Sequence, residues 1–309
     1  MLVFHEALHA VRYDGDSIHD SDRGFCVETH KHDAAACRST YGSGRRSVMS
    51  GAIEAGDGEH SVALGDTTVD VFTWRPKATP KSLLVVFHGM HADADNYRDR
   101  ARPLAEKLGA VVVAPKFGPP RFTVPLYQGG GVAPNGVFVP PGERTVDLIA
   151  PLVAWAQQAC GQRGLRYDLI GHSAGGQFLS RVAAFAPAAG VRYVIANPST
   201  WVLPSTEDAV PYGFSGSPDG EPALRIYLAL PITVLLGAED TGTDNLSSEP
   251  EAVAQGVNRL RRGRNAFAQA QAASKALGGA FRWKLAEVPG VGHDSARMFA
   301  SKQAYEALR

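Results

Sequence analysis

One serine of the chain stands where nucleophilic chemistry would need it. Ser173 lies in YDLIGHSAGG (residues 167–176), where an apolar run ends, with Gly171, Gly175 and Gly176 crowded around the serine and His172 beside it. A plain glycine-rich turn between a strand and a helix has the same look, so the stretch is weighed with the polar groups that follow the other apolar runs. His88-Gly89-Met90-His91 follow SLLVVF, Glu239-Asp240 follow ITVLLGA, and His293 follows FRWKLAEVPGVG. A serine, a carboxylate and a histidine, in that order, are the parts of an acyl-transfer site. A serine hydroxyl is a poor nucleophile until a base takes its proton, and neutral imidazole does this near neutral pH. A carboxylate fixes the imidazole's tautomer and stabilises its charged form. The oxyanion formed on attack needs backbone N–H donors already aimed at it. The Ala174 amide, at the start of a helix, and the Met90 amide are the candidates.

These residues meet only if one sheet gathers them. HSVAL (60–64) and TVDVFTW (68–74) flank Gly65-Asp66, a hairpin signal. SLLVVFHG (82–89), AVVVAP (110–115), YDLIGHS (167–173), RYVIANP (192–198) and PITVLLGAED (231–240) read as strands, and FRWKLAEV (281–288) as the last one. Continuous apolar runs of this kind suit strands buried on both faces. Between them lie helical patterns. Asp93 or Asp95 can cap a helix with Tyr97, Ala101, Leu104 and Leu108 on one side, Pro103 early in it with an irregular first turn, and Gly109 as its stop. A second helix spans roughly 144–160 with Val146, Ile149, Val153 and Ala156 in line, and a third starts at AGGQFLSRVAAFAP with Phe178, Val182 and Phe185. Residues 249–279 are helical, with Gly256 and Gly263 as breaks and Gly278 as the stop. The alternation predicts an α/β fold: a mostly parallel sheet with helices on both faces and an antiparallel strand pair at the N-terminal edge. Ligands of such sheets bind outside the carboxyl ends of the strands, where His88, Ser173, Asp240 and His293 fall.

GHSAG is a G-x-S-x-G motif between a strand and a helix, and with it the chain from about residue 60 onward resembles the α/β-hydrolase superfamily, whose nucleophile elbow has this form. HG at 88–89 matches the oxyanion-loop motif with Met90 as the next residue, GAED (237–240) the turn that carries the acid, and GVGHD (290–294) the histidine loop. Within the superfamily it looks most like small bacterial esterases of the polyhydroxybutyrate-depolymerase-like or dienelactone-hydrolase-like type. The resemblance implies a Ser173–Asp240–His293 triad, with Glu239 and Asp244 as neighbouring alternatives for the acid. His293 is the only histidine after residue 172. His88 and His91 are expected to shape the oxyanion loop, and His172 to point away from the nucleophile. The implied activity is hydrolysis of carboxylic esters through an acyl-enzyme on Ser173. Thioester, amide or peptide bonds are the alternatives on the same residues, and a ligand-binding protein without turnover is the alternative outside catalysis. No metal or organic cofactor is implied.

Two irregular segments, about 116–143 and 197–230, can cover the strand ends, though neither is long enough to read as a cap domain. Their aromatic residues Tyr127, Trp201, Tyr212 and Phe214, with His88 and His91, are candidates for the pocket wall; the alternative is that the aromatics anchor the loops to the core. The RLRRGR run (259–264) can meet an anionic substrate, but reads rather as a solvated helix face. With 31 basic and 31 acidic residues the net charge is zero, which gives no ground for nucleic-acid or anionic-membrane binding, and a small-molecule ester is the expected partner. No stretch approaches the ~18 consecutive apolar residues of a membrane span. The three cysteines, Cys26, Cys37 and Cys160, are too few for a disulfide framework, so a cytoplasmic protein is expected. Residues 1–48 hold five of the ten histidines and little periodicity. They read as a disordered extension or a start assigned too far upstream, ahead of a hydrolase domain over 49–309. Cys26, His30, His32 and Cys37 are potential metal ligands, but their spacing matches no common zinc pattern. Arg45-Arg46 hints at an export signal yet lacks the apolar stretch behind it. The oligomeric state is not legible.

Overall fold

In Ser82–Phe87 every residue is buried, yet its side chains divide between two cores. Leu83, Val85 and Phe87 pack into one apolar cluster, Leu84 and Val86 into the other. This is period-two alternation in a strand covered on both faces. The computed structural model describes residues 51–309. The cysteine–histidine set and the arginine pair noted above lie outside the described residues.

Eight strands form one sheet: β1 (Gly56–Leu64), β2 (Thr67–Arg75), β3 (Ser82–Phe87), β4 (Ala110–Pro115), β5 (Tyr167–His172), β6 (Tyr193–Ala196), β7 (Ile232–Gly237) and β8 (Lys284–Val288). Their order is β1-β2-β4-β3-β5-β6-β7-β8. β1, β2 and β4 pair antiparallel, and all other neighbours are parallel. The expected α/β architecture with its antiparallel edge is therefore present. The register aligns the carboxyl ends: Phe87 pairs with Gly171, Gly171 with Ile195, and Gly237 with Val288.

The helices are α1 (Ala94–Leu108), α2 (Ile149–Ala159), α3 (Ala174–Phe185), α4 (Gly220–Ala229), α5 (Pro250–Gln255), α6 (Arg259–Leu277), α7 (Ser295–Ala300) and α8 (Lys302–Leu308). α1, α7 and α8 cover the Leu84 face of the sheet, and α2, α3, α4 and α6 the Val85 face. α1 differs from its sequence reading in two ways. Asp93 occupies the N-cap without a side-chain capping bond and lies 3.4 Å from Arg100 instead. Pro103 lies well inside the helix rather than in its first turn. Gly256 does break the 249–279 stretch, whereas Gly263 runs through α6. A β-carbon there would collide with Leu236, so this glycine serves the close packing of α6 on β7. Within the 197–230 segment, expected to be irregular, residues 220–229 form α4. No helix among the described residues is long and apolar enough to cross a membrane.

Candidate active site

β5 ends at His172, α3 begins at Ala174, and Ser173 alone makes the turn between them. Its backbone sits at φ 59°, ψ −119°, a left-handed conformation that residues with a β-carbon rarely adopt. Two glycines let the turn close. A β-carbon on Gly171 would run into the Gly175 carbonyl, and one on Gly175 into that of Phe87. Gly176 meets the sheet in the same way, 2.8 Å from the Ala196 oxygen at its would-be β-carbon. The serine is thereby lifted above the rim of the sheet, partly exposed.

His293, in the loop after β8, faces it. The Ser173 hydroxyl donates to His293 Nε2 at 3.0 Å, and His293 Nδ1 donates to Asp240 Oδ2 at 2.7 Å. Asp240 belongs to the turn after β7, where its amide donates to the Gly237 carbonyl, and its side chain is 2 % exposed. Glu239 and Asp244 both face solvent. The acid that meets the histidine is Asp240.

The loop after β3 supplies backbone donors. His88 is buried, its Nδ1 donates to the Gly89 carbonyl at 2.7 Å, and its Nε2 accepts from the Phe117 amide at 2.9 Å. Burial pulls its pKa down to about 4, so it stays neutral, as both bonds require. Tyr127 donates its hydroxyl to the His88 carbonyl at 2.8 Å. His88 and Tyr127, both buried, thus brace this loop from within. Met90 beyond them is exposed, and so is His91. The Ala174 amide is the first of its helix, with no carbonyl of its own helix four residues back. Neither the Met90 nor the Ala174 amide donates to a backbone carbonyl outside regular elements among the described residues.

Trp201 and Phe214 are also buried, at 0 % and 1 % exposure. Both are core residues of the loop that carries them, as the anchoring alternative had it, and the pocket reading fails for them. Tyr212 alone of that group is half-buried and borders a cavity. His172 bonds to the Tyr97 hydroxyl and the Asn197 amide, and its ring packs 4.5 Å from that of His293. Burial first, then the charges of His293, Arg259 and Arg100, hold its pKa well below the usual histidine value. It is a neutral floor beneath the second histidine.

Three residues escaped the sequence reading. Arg259, part of the supposed solvent face, is buried with its Nη1 3.8 Å from Asp240 Oδ1, and its Nη2 donates to the Asp244 and Asn245 carbonyls at 2.8 and 2.9 Å. Arg262 is buried too and donates to the Ser199, Ser247 and Gly256 carbonyls. Only Arg261 and Arg264 face outward, the latter paired with Glu287. The helical spacing of 259, 262, 266 and 270, all buried, was the signal. Asn197, directly after β6 at φ 45°, accepts from the Gly237 amide at 2.8 Å and donates to the Gly292 carbonyl at 3.3 Å. It ties together the turns carrying Asp240 and His293. A polar residue directly after an apolar strand was its only signal.

A serine on a strained strand–turn–helix, at the carboxyl rim of this sheet, in line with a histidine and a buried carboxylate, is the layout of an α/β-hydrolase. Comparison with solved structures agrees. A poly(aspartic acid) hydrolase from Sphingomonas sp. KT-1 shares 31% identity over 82% of this chain and 98% of its own, with a TM-score of 0.77. A poly(3-hydroxybutyrate) depolymerase from Bordetella parapertussis shares 30% over 83% and 94%, with a TM-score of 0.74. A siderophore hydrolase from Aspergillus nidulans, at 14% identity over 82% and 94% and a TM-score of 0.50, shares the fold. No family model and no curated protein sequence matches the chain. The chain belongs to the α/β-hydrolase superfamily and is a hydrolase. Among esterase-like subfamilies, the depolymerase likeness expected from the motifs is present at 30% identity.

Proposed function

We propose that the protein is a serine hydrolase that cleaves carboxylic esters. The observation that carries the reading is the unbroken relay Ser173–His293–Asp240, at 3.0 and 2.7 Å, on a turn that aims the serine out of the sheet. Ser173 Oγ attacks the ester carbonyl carbon while its proton passes to His293 Nε2. The resulting imidazolium is stabilised by Asp240, whose carboxylate accepts from Nδ1. The amides of Met90 and Ala174 hold the oxyanion of the tetrahedral intermediate. Its collapse breaks the bond to the alkoxide, which leaves with the proton from His293. Water, deprotonated by His293, then attacks the acyl-serine, and the carboxylic acid departs with Ser173 restored. Asp240 does not itself take the proton; Arg259 lies behind it, its Nη1 3.8 Å from Oδ1.

A panel of p-nitrophenyl esters with acyl chains of increasing length tests this, with Ser173→Ala as control. Turnover that vanishes in the variant is expected, together with covalent labelling by a fluorophosphonate in the wild type alone. Absence of both activity and labelling rejects the reading. The likeness to a poly(aspartic acid) hydrolase, named for a polyamide substrate, favours a second reading in which the same residues cleave amides. Labelling without ester turnover would select it.

A further inference from the structure

We propose that Arg181, buried two turns along the helix that Ser173 caps, holds a carboxylate of the substrate, so that the favoured esters carry a second, free carboxyl group at the far end of a short acyl chain. The proposal rests on the ester-hydrolase reading and names its substrate class. Arg181 lies two turns beyond Ser173 on α3, with Gln177 between them at the same spacing, so the three share one side of the helix. Eight residues rise about 12 Å, and helical side chains lean back toward the N-terminus, which brings the guanidinium closer to the serine than its own backbone is.

The guanidinium is under-used. Arg181 is 1 % exposed, its Nη1 donates to the Gln177 and Thr200 carbonyls at 3.3 and 3.1 Å, and its Nε has no partner among the described residues. None of the ion pairs of the described residues includes it. Burial lowers its pKa to about 10, which still leaves it cationic at neutral pH. Tethering the helix explains Nη1 and the Tyr212 ring, 5.5 Å from the guanidinium carbon. It does not explain a buried charge without a counter-ion, an arrangement proteins seldom keep without a use.

The use is indicated by the space next to it. Arg181 lines a cavity of about 210 Å³ whose wall includes Gln128, Gln177, Tyr212 and Pro134. Gln177 is already oriented, accepting from the Thr200 hydroxyl at 2.7 Å and donating to Gln128 at 3.0 Å. A planar guanidinium with unused donors suits a carboxylate, and Gln177, whose amide donates to the Ser173 carbonyl at 3.0 Å, joins this cavity to the serine turn. A neutral acyl group leaves the charge unpaired, so discrimination follows. Glu249, exposed on the same cavity, acts on Tyr212 and Arg262 rather than neutralising Arg181. It opposes an entering anion and tempers the preference.

The test compares kcat/KM for p-nitrophenyl butyrate and for the mono-p-nitrophenyl ester of glutaric acid. The wild type is expected to prefer the anionic ester by roughly 10- to 100-fold, the range of a charge-assisted hydrogen bond. Arg181→Met should abolish that preference, read as the ratio of kcat/KM for the two esters. Glu249→Gln, at an exposed position that should fold normally, should raise it by about 2- to 5-fold. A wild type without the preference overturns the proposal, and so does a preference that survives Arg181→Met. If Arg181→Met does not fold, a preference unmoved by Glu249→Gln overturns it. Thermal shift separates this from failure of the hydrolase reading. A midpoint raised by glutarate and not by neutral glutaramide, in a protein that turns over no ester, keeps the anion site and removes the chemistry. Turnover with a neutral preference does the reverse.

Discussion

The backbone of Ser173 makes a prediction in which stability and reactivity part company. At φ 59°, ψ −119° the residue occupies the conformation of the first central position of a type II′ turn, which glycine takes freely. A residue with a β-carbon held there is strained by about 1–3 kcal/mol. Ser173→Gly relieves that strain but adds roughly 0.5–1 kcal/mol of backbone entropy lost on folding. Ser173→Ala keeps the β-carbon and hence the strain. Both variants lack the hydroxyl, so the lost bond to His293 cancels between them. The glycine variant should therefore be more stable than the alanine variant by about 1 kcal/mol, or some 2–4 °C in unfolding midpoint for a domain of this size. Urea unfolding of the two variants at neutral pH, with shared m-values, measures the difference. Neither variant should hydrolyse esters. If the alanine variant is as stable as the glycine variant, the turn is not strained and the reasoning fails.

Two further outcomes follow from buried charge. Arg259→Met strips the counter-ion from Asp240 and two carbonyls from their donor, both deep in the protein. A loss of about 3–5 kcal/mol in unfolding free energy is expected, since one partner of a buried pair is left alone; a loss below about 1 kcal/mol would show that the pair is solvated. His88 titrates near 6.5 when unfolded but is held to about 4 in the fold. The unfolded chain then binds the extra proton between these values, so stability present above pH 6.5 is withdrawn as pH falls toward 4, by about 3 kcal/mol in all. His172, also depressed, adds to the same slope. In denaturant titrations at several pH values, His88→Asn should be less stable at neutral pH and decline less steeply below it. An unchanged slope would rule His88 out as a contributor.

The strands were legible because apolar runs such as Leu83–Phe87 and Ile232–Leu236 are buried on both faces and stop at polar groups. The rim they form was legible for the same reason: each stop delivers its polar residue to the same edge. The resemblance pointed to Asp240 as the acid that meets His293, but the residues alone left Glu239 and Asp244 open. Glu239, Asp240 and Asp244 share one turn, and only the bond from the Asp240 amide to Gly237 and the cation beneath it orient one carboxylate inward. The aromatic residues misled because composition says that a loop carries Trp201 or Phe214, not whether the ring turns toward the cleft or the core. The arginines at 259–264 misled in the opposite sense. A charge cluster was read as one face, although its helical period divides it between two.

The sheet order also sets a clock. Ser173 and His293 are 120 residues apart, and β8, which brings the histidine, pairs in the sheet with β7 alone. At a synthesis rate of about 5–20 residues per second, the serine leaves the ribosome roughly 6–24 s before its partner. On the proposed mechanism, a nascent chain in that interval can form the turn while His293, the acceptor of its hydroxyl proton, is still to come. Docking of one outer strand then completes the proposed relay.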